Sequence, residues 1–588
     1  MPLLLLLCFA LTLPAQTILS LSPSGDRPTS IPNCPECAAF AQLDGHGLEP
    51  LIKVVFSAPV NPDAFRDRIY IEFGPSRQTD GFLTYPTGYR MPINQLAWDA
   101  SRNTLYARPD DPLDHDRDYT LVVTDGTRPL ATSPFHTQNI TRDILARPLA
   151  PAGALRRITA ETIDLADLSS LEFLYQTSAD PTAPFTVSTL PVDPAFLTTL
   201  GLRRLVLLDF LSPRGERIHV HAWLPNTPPP PSGWPVKLIG HGLFDNRFSG
   251  PTLFASAFVT SSVVMSIDAV GHGFGPASRL RFTNRQGATL EVPAGGRGVD
   301  LNRDGRIDPS EGCILLSPTN PDFTSSCLRE TALDYRQLIR EIQHNIDLTG
   351  DGRPDLDPNS IQYLGQSLGA MYGTLLTALE PSIEAAVLNV GGGSAVETSR
   401  TSTLIAGLTS QFLATLYPHL ANVPDPLTPR YVPAQPITPL QAELLEVLDR
   451  FATLETRGAP ASFAPFLKQA TLFGNPIKRV LFQFALGDQS VPNNANQQLQ
   501  RAAHEYSLIS LYRHDLARRA FPNLPANPHA FLAAFAQVDQ PSLFIALATL
   551  TQASSFLASG RYEVPDVNGL VRPIFRANLF ETPATFPW

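Results

Sequence analysis

Charge is what this chain has least of. Lys, Arg, Asp and Glu make up 17% of its 588 residues, against ~25% in a typical soluble domain. A basic excess is missing as well: 44 Lys and Arg face 54 Asp and Glu, for a net charge of −10. That leaves no electrostatic footprint for nucleic acid and argues against it as a partner. Long apolar runs are confined to Leu3–Leu13, and no later stretch reads as a second membrane anchor. A polytopic membrane protein, with its repeated ~20-residue spans, is excluded. The 37 Gly and 57 Pro together stay below the ~25–30% that marks low complexity. Hydrophobic residues at 43% and a mean hydropathy of −0.02 are enough for real cores, which excludes a disordered chain and a collagen. The one surplus is proline, 57 of 588 against an average of ~5%. At ~150 residues per domain the length suggests three to four units joined by many stiff loops.

Cysteine is also scarce, at five. Cys8 lies inside the apolar run, and no small residues precede it as a lipoprotein site would require. The run is too short to span a bilayer but suits the core of a signal peptide, here expected over 1–15 with cleavage after Ala15. A buried first helix is the alternative. Export would place the mature chain outside the cell or on its surface, with Cys34, Cys37, Cys313 and Cys327 remaining. An even number in an exported chain favours two disulfides. The local pairing Cys34–Cys37 and Cys313–Cys327 is preferred among three connectivities. Cys34-Pro-Glu-Cys37 could also be half of a zinc site, although no second Cys or His pair completes it.

Residues 16–47, rich in Ser, Pro and Gly, read as a linker carrying that CPEC pair. Short strands follow at Leu51–Phe56, Ile69–Phe73, Thr104–Arg108 and Tyr119–Thr124, with turn-rich segments such as Pro109-Asp110-Asp111-Pro112 between them. This spacing suggests a β-sandwich of ~100 residues. The stretches "IKVVFSAPVNP" and "LYARPDDPLDHDRDYTLVVTDG" resemble bacterial Ig-like domains, which serve as spacers in secreted and surface proteins. The resemblance implies an Ig-like sandwich over 48–140 with a positioning role and no chemistry. Residues 141–200 form a connecting region without an assignable pattern. From 201 the grammar changes. Strand-like runs at Arg204–Phe210, Arg217–Leu224, Val236–Gly240, Val263–Asp268, Ile361–Gly365, Ala385–Val390 and Val480–Leu486 alternate with helical periodicity. Leu328, Ala332, Tyr335, Leu338, Ile339, Ile342 and Ile346 make one such apolar face. Strands alternating with helices predict a mostly parallel sheet with helices on both faces.

The strongest chemical signal is Gly365-Gln366-Ser367-Leu368-Gly369, between the strand-like Ile361–Leu364 and the helix-forming "AMYGTLLTALE". In a strand–turn–helix context, G-x-S-x-G permits the strained turn that exposes a serine hydroxyl; the plain alternative is an ordinary Gly-rich turn. On these residues, 201–588 resembles the α/β-hydrolase superfamily, particularly secreted bacterial lipases and esterases. The resemblance implies an α/β-hydrolase fold with a helical cap and a triad in the order Ser, Asp, His. A serine hydroxyl needs a base to take its proton, and the base needs an orienting acid. Gly487-Asp488-Gln489-Ser490-Val491-Pro492 follows "VLFQFAL" and matches the family's G-D-x-x-V-P acid loop, which nominates Asp488. His529, in "NLPANPHAFLAAF", precedes an apolar helical run as the family's last-loop histidine does and is the preferred base over His514 and His504. Gly240-His241-Gly242-Leu243 resembles the H-G-x oxyanion loop, which makes the Leu243 and Leu368 amides the expected donors. Asp268-Ala269-Val270-Gly271-His272-Gly273 matches the D-x-x-G-H-G turn, with His272 shaping the rim.

The family pattern calls for no organic cofactor and for an ester or lipid substrate, met at a cell surface or lipid interface. The stretch of about 395–475 contains "STLIAGLTSQFLATLY" and "PLQAELLEVLDRFATL". It reads as a helical cap, which either completes the core or acts as a lid over an acyl-chain pocket.

Two acidic loops add a metal. In 300–311, Asp300, Asn302, Asp304, Asp308 and Glu311, with the Arg306 carbonyl, fit D-x-[DN]-x-[DN]-G-x5-E at every defined position. This is the oxygen set that Ca²⁺ takes, with Gly305 for the sharp turn. In 347–358 the first half recurs, offering Asp347, Thr349, Asp351, the Arg353 carbonyl and Asp355. Its twelfth position is Pro358, so the bidentate ligand is missing or displaced. Structural calcium and a Cys313–Cys327 bridge would brace the helix and strand that position Ser367. The expectation is therefore a secreted, calcium-stabilised serine ester hydrolase. A peptidase on the same fold, or an inactive calcium-binding surface or adhesion protein, are the alternatives.

Overall fold

The computed structural model describes residues 17–159, 162–189, 194–199, 201–250, 261–308, 311–313, 322–344, 346–426, 433–533 and 539–583. The expected signal peptide, 1–15, lies outside them.

Strand Ile52–Phe56 shows why the N-terminal unit is a sheet. Ile52, Val54 and Phe56 are buried while Lys53 and Val55 are partly exposed, the period of two that gives a strand one apolar face. Among the described residues this sheet has eight strands, of which Gln435–Pro436 pairs in parallel with Arg90–Asp99 and the other seven run in the order Ile18–Ser22, Ile52–Phe56, Thr104–Pro109, Arg90–Asp99, Ile69–Ser76, Arg117–Thr124, Pro129–His136. The pairings among these seven are antiparallel. Arg90–Asp99 is shared: its first half pairs with Ile69–Ser76 and its second with Thr104–Pro109. The register shifts between Asn94 and Ala97, where Gln95 takes φ 55°. A bulge of this kind bends a strand, so the strands form one continuous path where two separate sandwich sheets were expected. Ile71, Phe73, Trp98 and Leu121 fill the interior.

The segment read as a linker is structural. Ile18–Ser22 is the first strand, and Pro35–Gln42 forms a 3-10 helix closed by a Cys34–Cys37 disulfide. Phe40 and Leu43 then bury against Phe412, Tyr417, Leu448 and Phe451 of the cap. With both thiols in the bridge, no half zinc site is left. Cys313 and Cys327 are also joined.

Among the described residues the larger sheet has eleven strands. Ile509–Tyr512, Arg479–Ala485, Ile383–Asn389, Leu356–Gln366, Trp234–Gly240 and Val263–Ile267 lie side by side in parallel. At both edges the pairing turns antiparallel, through Phe580–Glu581 on one side and Arg217–Pro225, Leu202–Leu211, Arg156–Arg157 and Ile163–Asp164 on the other. The sheet is thus mixed where a mostly parallel one was expected. Leu202–Leu211 and Arg217–Pro225 are joined by residues 212–216 alone, far too short for the crossover that a parallel pair needs. Alternate residues serve opposite faces. Leu238 and Tyr363 pack with helices Phe323–Ile342 and Leu368–Leu379, while Ile239 and Leu364 pack with Gln540–Ser559.

That last helix is long and apolar enough to cross a membrane by length and composition alone, where no second such stretch is expected from the sequence. It sits in the protein interior: Leu550, Ala553 and Phe556 are buried, Asp539 caps it through the Ser542 N–H, and Gly560 ends it at φ 67°.

Residues 141–200 belong to this larger unit. Besides the two short edge strands, they supply Leu168–Tyr175, an inner strand of a separate antiparallel sheet with Thr186–Thr189, Arg279–Asn284 and Thr289–Pro293.

The cap helix Pro439–Glu455 starts with a capping box between Thr438 and Gln441. Apart from Leu440 near its start, its large apolar residues are already covered. Leu448 and Phe451 meet Phe40, while Ala442 and Leu445 meet Ala97 and Tyr106 of the N-terminal sheet. Glu446 accepts from Lys53 Nζ at 2.6 Å and Tyr106 OH at 2.8 Å, and Asp449 accepts from the Leu51 N–H at 2.7 Å. This packing favours a cap that completes the core over a lid that lines an acyl pocket.

Candidate active site

Ser367 stands between strand Leu356–Gln366 and helix Leu368–Leu379, at φ 58° and ψ −118°. A non-glycine residue in this region costs ~1–3 kcal/mol, so the surroundings must hold it there. They do so by close packing that only glycine allows. A Cβ on Gly365 would lie 2.2 Å from the Gly369 carbonyl oxygen, and one on Gly369 would lie 2.1 Å from that of Gly240. Tyr363 OH donates to the same Gly369 carbonyl at 2.5 Å, and the Ser367 N–H donates to Asn389 O at 2.8 Å. Gly369→Ala is accordingly expected to destabilise by ~1–3 kcal/mol through overpacking. Gly407→Ala, at a helical position with nothing within 4 Å, should leave the urea midpoint unchanged or raise it.

His529 Nε2 lies 2.8 Å from Ser367 Oγ, and its Nδ1 lies 2.8 Å from Asp488 Oδ2. Asp488 has a fully buried side chain, whose Oδ1 accepts from the Ser490 and Val491 N–H groups at 2.9 and 3.0 Å. A carboxylate at Nδ1 selects the tautomer that donates there and leaves Nε2 bare to accept the serine proton. The other two histidines are held elsewhere. His514 donates from Nε2 to Pro525 O at 2.9 Å and accepts from Tyr512 OH at 3.2 Å, while His504 stands edge-on to Tyr85 with ring centroids 5.9 Å apart.

No protein-family model and no curated protein sequence matches the chain. Among solved structures it is similar to acetyl xylan esterase 1 from Thermoanaerobacterium sp. JW/SL YS485, at 16% identity over 59% of this chain and 84% of that one, with a TM-score of 0.33. It is similar to acetyl xylan esterase from Paenibacillus sp. R4 at 13% identity, over 64% of this chain and 85% of that one, with a TM-score of 0.35. A Mycobacterium tuberculosis puromycin-hydrolyzing peptidase aligns at 12% identity over 87% of this chain and 60% of its own, with a TM-score of 0.36.

The loop expected to form the oxyanion hole passes beside Ser367. A Cβ on Gly242 would come 3.5 Å from that of Ser367 and 2.7 Å from Gln366 Oε1. His241, buried, donates from Nδ1 to Gly242 O at 2.8 Å and accepts the Ala269 N–H at Nε2 at 2.9 Å. The C=O and N–H of one trans peptide point opposite ways, so fixing Gly242 O also fixes the direction of the Leu243 N–H. Leu368 is the first residue of its helix, where the N–H has no acceptor within the helix.

Asp268, the first residue of the D-x-x-G-H-G turn, has a partner that no motif announces. Arg247 and Asp268 form a fully buried ion pair, and Asp268 Oδ1 also accepts the Arg247 N–H at 2.8 Å. Arg247 Nε donates to His221 at 3.1 Å, and its Nη2 donates to Ala294 O at 2.6 Å. Burial, reinforced by the Arg247 charge, holds His221 well below the usual imidazole range. His272 donates from Nδ1 to Val270 O at 3.0 Å, and burial, with His241 close by, pushes it down to about 3. It is therefore neutral at ordinary pH, fully buried behind the loop.

The two acidic loops flank these elements. In 300–311, Asp300 accepts the Asp304 and Gly305 N–H groups, Asp304 that of Arg306, and Glu311 those of Leu301, Asn302 and Asp308. Ile307 is buried, and Gly312 packs so closely on the Gly271 carbonyl that a Cβ would lie 2.0 Å away. In 347–358, Asp347 accepts from Gly350, Asp351 and Gly352, and Asp351 from Arg353. Asp355 accepts the Leu348 and Thr349 N–H groups at 2.6 and 2.7 Å. Those are the loop positions that Glu311 serves in the first loop, so the closing carboxylate has moved from the twelfth place to the ninth. Among the described residues, no three His, Cys, Asp or Glu side chains are grouped as a metal site. The donors of 300–311 are nonetheless all oxygen, and a carboxylate on an amide keeps lone pairs to spare.

Proposed function

We propose that the chain is a serine hydrolase of the α/β-hydrolase superfamily that cleaves carboxylic esters through an acyl-enzyme. The observation that carries this reading is the unbroken hydrogen-bond chain from Ser367 Oγ through His529 to buried Asp488, with the serine on a strained strand-to-helix turn. His529 takes the Ser367 proton as Oγ attacks the carbonyl carbon. The Leu243 and Leu368 N–H groups receive the developing oxyanion. As the tetrahedral intermediate collapses, the proton passes from His529 to the departing alkoxide. Water, activated by the same imidazole, then releases the acid and frees Ser367. Asp488 orients the ring and stabilises its charged form throughout.

A panel of nitrophenyl esters of increasing acyl length, run beside a chromogenic peptide, tests the reading. Ester turnover in wild type, with a fluorophosphonate label on Ser367, is the expected result. Peptide turnover alone would make it a peptidase, and neither turnover nor labelling would leave a surface or adhesion protein.

Calcium is proposed as a structural ion in 300–311, held by Asp300, Asn302, Asp304, the Arg306 carbonyl, Asp308 and Glu311; the support is the donor chemistry and spacing. Raising free Ca²⁺ to ~100 times its Kd should stabilise by ~2.7 kcal/mol, measured as a calorimetric shift that EDTA reverses and Asp300→Ala abolishes. No shift in wild type would reject the ion. Action outside the cell is proposed on the Leu3–Leu13 run and the two cysteine bridges, which suit an oxidising compartment.

A further inference from the structure

The acid and base loops come from segments about forty residues apart, and a second fastening joins them besides the His529–Asp488 bond. Asn527 lies two residues before His529. Its Oδ1 accepts two N–H groups, that of Gln489 at 3.1 Å and that of His529 at 3.2 Å. Its Nδ2 donates to Ser490 Oγ at 2.9 Å. Ser490 and Gln489 are the residues directly after Asp488, and the Ser490 N–H donates to the Asp488 carboxylate at 2.9 Å. One side-chain amide therefore touches the backbone of the base on one side and that of the acid loop on the other. A weaker tie, Gln489 Nε2 to Ala526 O at 3.3 Å, runs parallel to it.

We infer that Asn527 is a positioning residue that keeps the His529 imidazole in register with the Asp488 carboxylate; this rests on the serine-hydrolase reading of Ser367. During each half-reaction the imidazole gains and loses a proton at Nε2 while its Nδ1–H must stay on Asp488. Misplacement by ~1 Å at such a centre costs ~100-fold in rate. Only a side chain with two acceptor lone pairs and a donor at fixed spacing makes all three contacts, which is the inventory of a carboxamide. Leucine at 527 keeps the branched shape, at somewhat larger volume, and removes every contact. Aspartate keeps the acceptors, loses the donor to Ser490 and adds a charge beside Asp488. A plain turn-forming role within Pro525-Ala526-Asn527-Pro528 would use the His529 N–H contact alone and would leave Ser490 indifferent.

The test uses the full chain with p-nitrophenyl acetate. Asn527→Leu should lower kcat ~10–100-fold with KM within about twofold, and shift the acid limb of the kcat–pH profile. Ser490→Ala, which removes only the Nδ2 acceptor, should fall between it and wild type, and Ser490→Thr should restore kcat. Crystal structures of wild type and Asn527→Leu should show the His529–Asp488 contact lengthened in the variant. An unchanged contact, or loss of activity that tracks only the unfolded fraction with an unmoved pH profile, overturns the assignment. Should wild type turn over no ester or peptide, the hydrolase reading fails, and the contact in the two crystal structures still decides whether Asn527 holds the loops together.

Discussion

Ser367→Ala and His529→Ala are each expected to lower kcat for a nitrophenyl ester by about 10⁴–10⁶-fold, and the double variant by no more than either alone. The size follows from what remains. Without His529 neither His514 nor His504 takes its place, since His514 is held by Pro525 and Tyr512 and His504 lies against Tyr85, while both ring nitrogens of His241 are engaged by Gly242 and Ala269. Non-additivity follows because nucleophile and base act in one step, so losing either removes the step. The same argument makes His514→Ala silent. Melting temperatures should stay near wild type, because both side chains line a site and make few core contacts. Residual activity above ~1% in His529→Ala, or an equal loss in His514→Ala, would assign the base elsewhere.

The second large effect is on stability. Asp268→Ala is expected to cost ~3–5 kcal/mol, because it strands the Arg247 guanidinium in a site from which water is excluded. Urea unfolding of the full chain measures it as a drop in midpoint. Arg561 and Glu563 provide the contrast: they form a 3.2 Å pair with both side chains mostly exposed, and Glu563→Ala should cost no more than ~1 kcal/mol. Replacing Arg247 and Asp268 together by apolar residues of similar volume should recover part of the loss, since a buried pair is costlier to break than to omit. Equal costs for Asp268→Ala and Glu563→Ala would mean that water reaches the Arg247 site.

What the sequence made legible was chemistry written in consecutive residues. G-x-S-x-G and G-D-x-x-V-P encode a local backbone, so Ser367 and Asp488 could be named from their neighbours. The proposed base was harder because its place depends on where the segment after Tyr512 returns, which left three histidines open; only the apolar run after it, as in the family's last loop, favoured His529. Arg247 and Asn527 were invisible: their partners lie 21 and 37–38 residues away and no spacing rule links them. Residues 16–47 were misread because composition masked a few anchors. Ile31, Phe40 and Leu43 are buried, but the surface that buries them begins some 370 residues later. In 141–200, edge strands of two residues such as Arg156–Arg157 are too short to leave a period, and the longer strand Leu168–Tyr175 takes its partner, Arg279–Asn284, from a part of the chain that no local spacing links to it.

Those distant contacts also set a clock. Lys53 and Glu446 are separated by 393 residues, and Leu51 and Asp449 by 398. At ~5–20 residues per second of synthesis, about 20–80 s pass between the appearance of the N-terminal strands and that of the helix that covers them. Throughout that interval Phe40, Leu51 and Tyr106 lack the neighbours that the cap supplies. The protein therefore depends on whatever shields its first hundred residues during its own production, and its yield should respond to the rate of translation far more steeply than its finished stability would suggest.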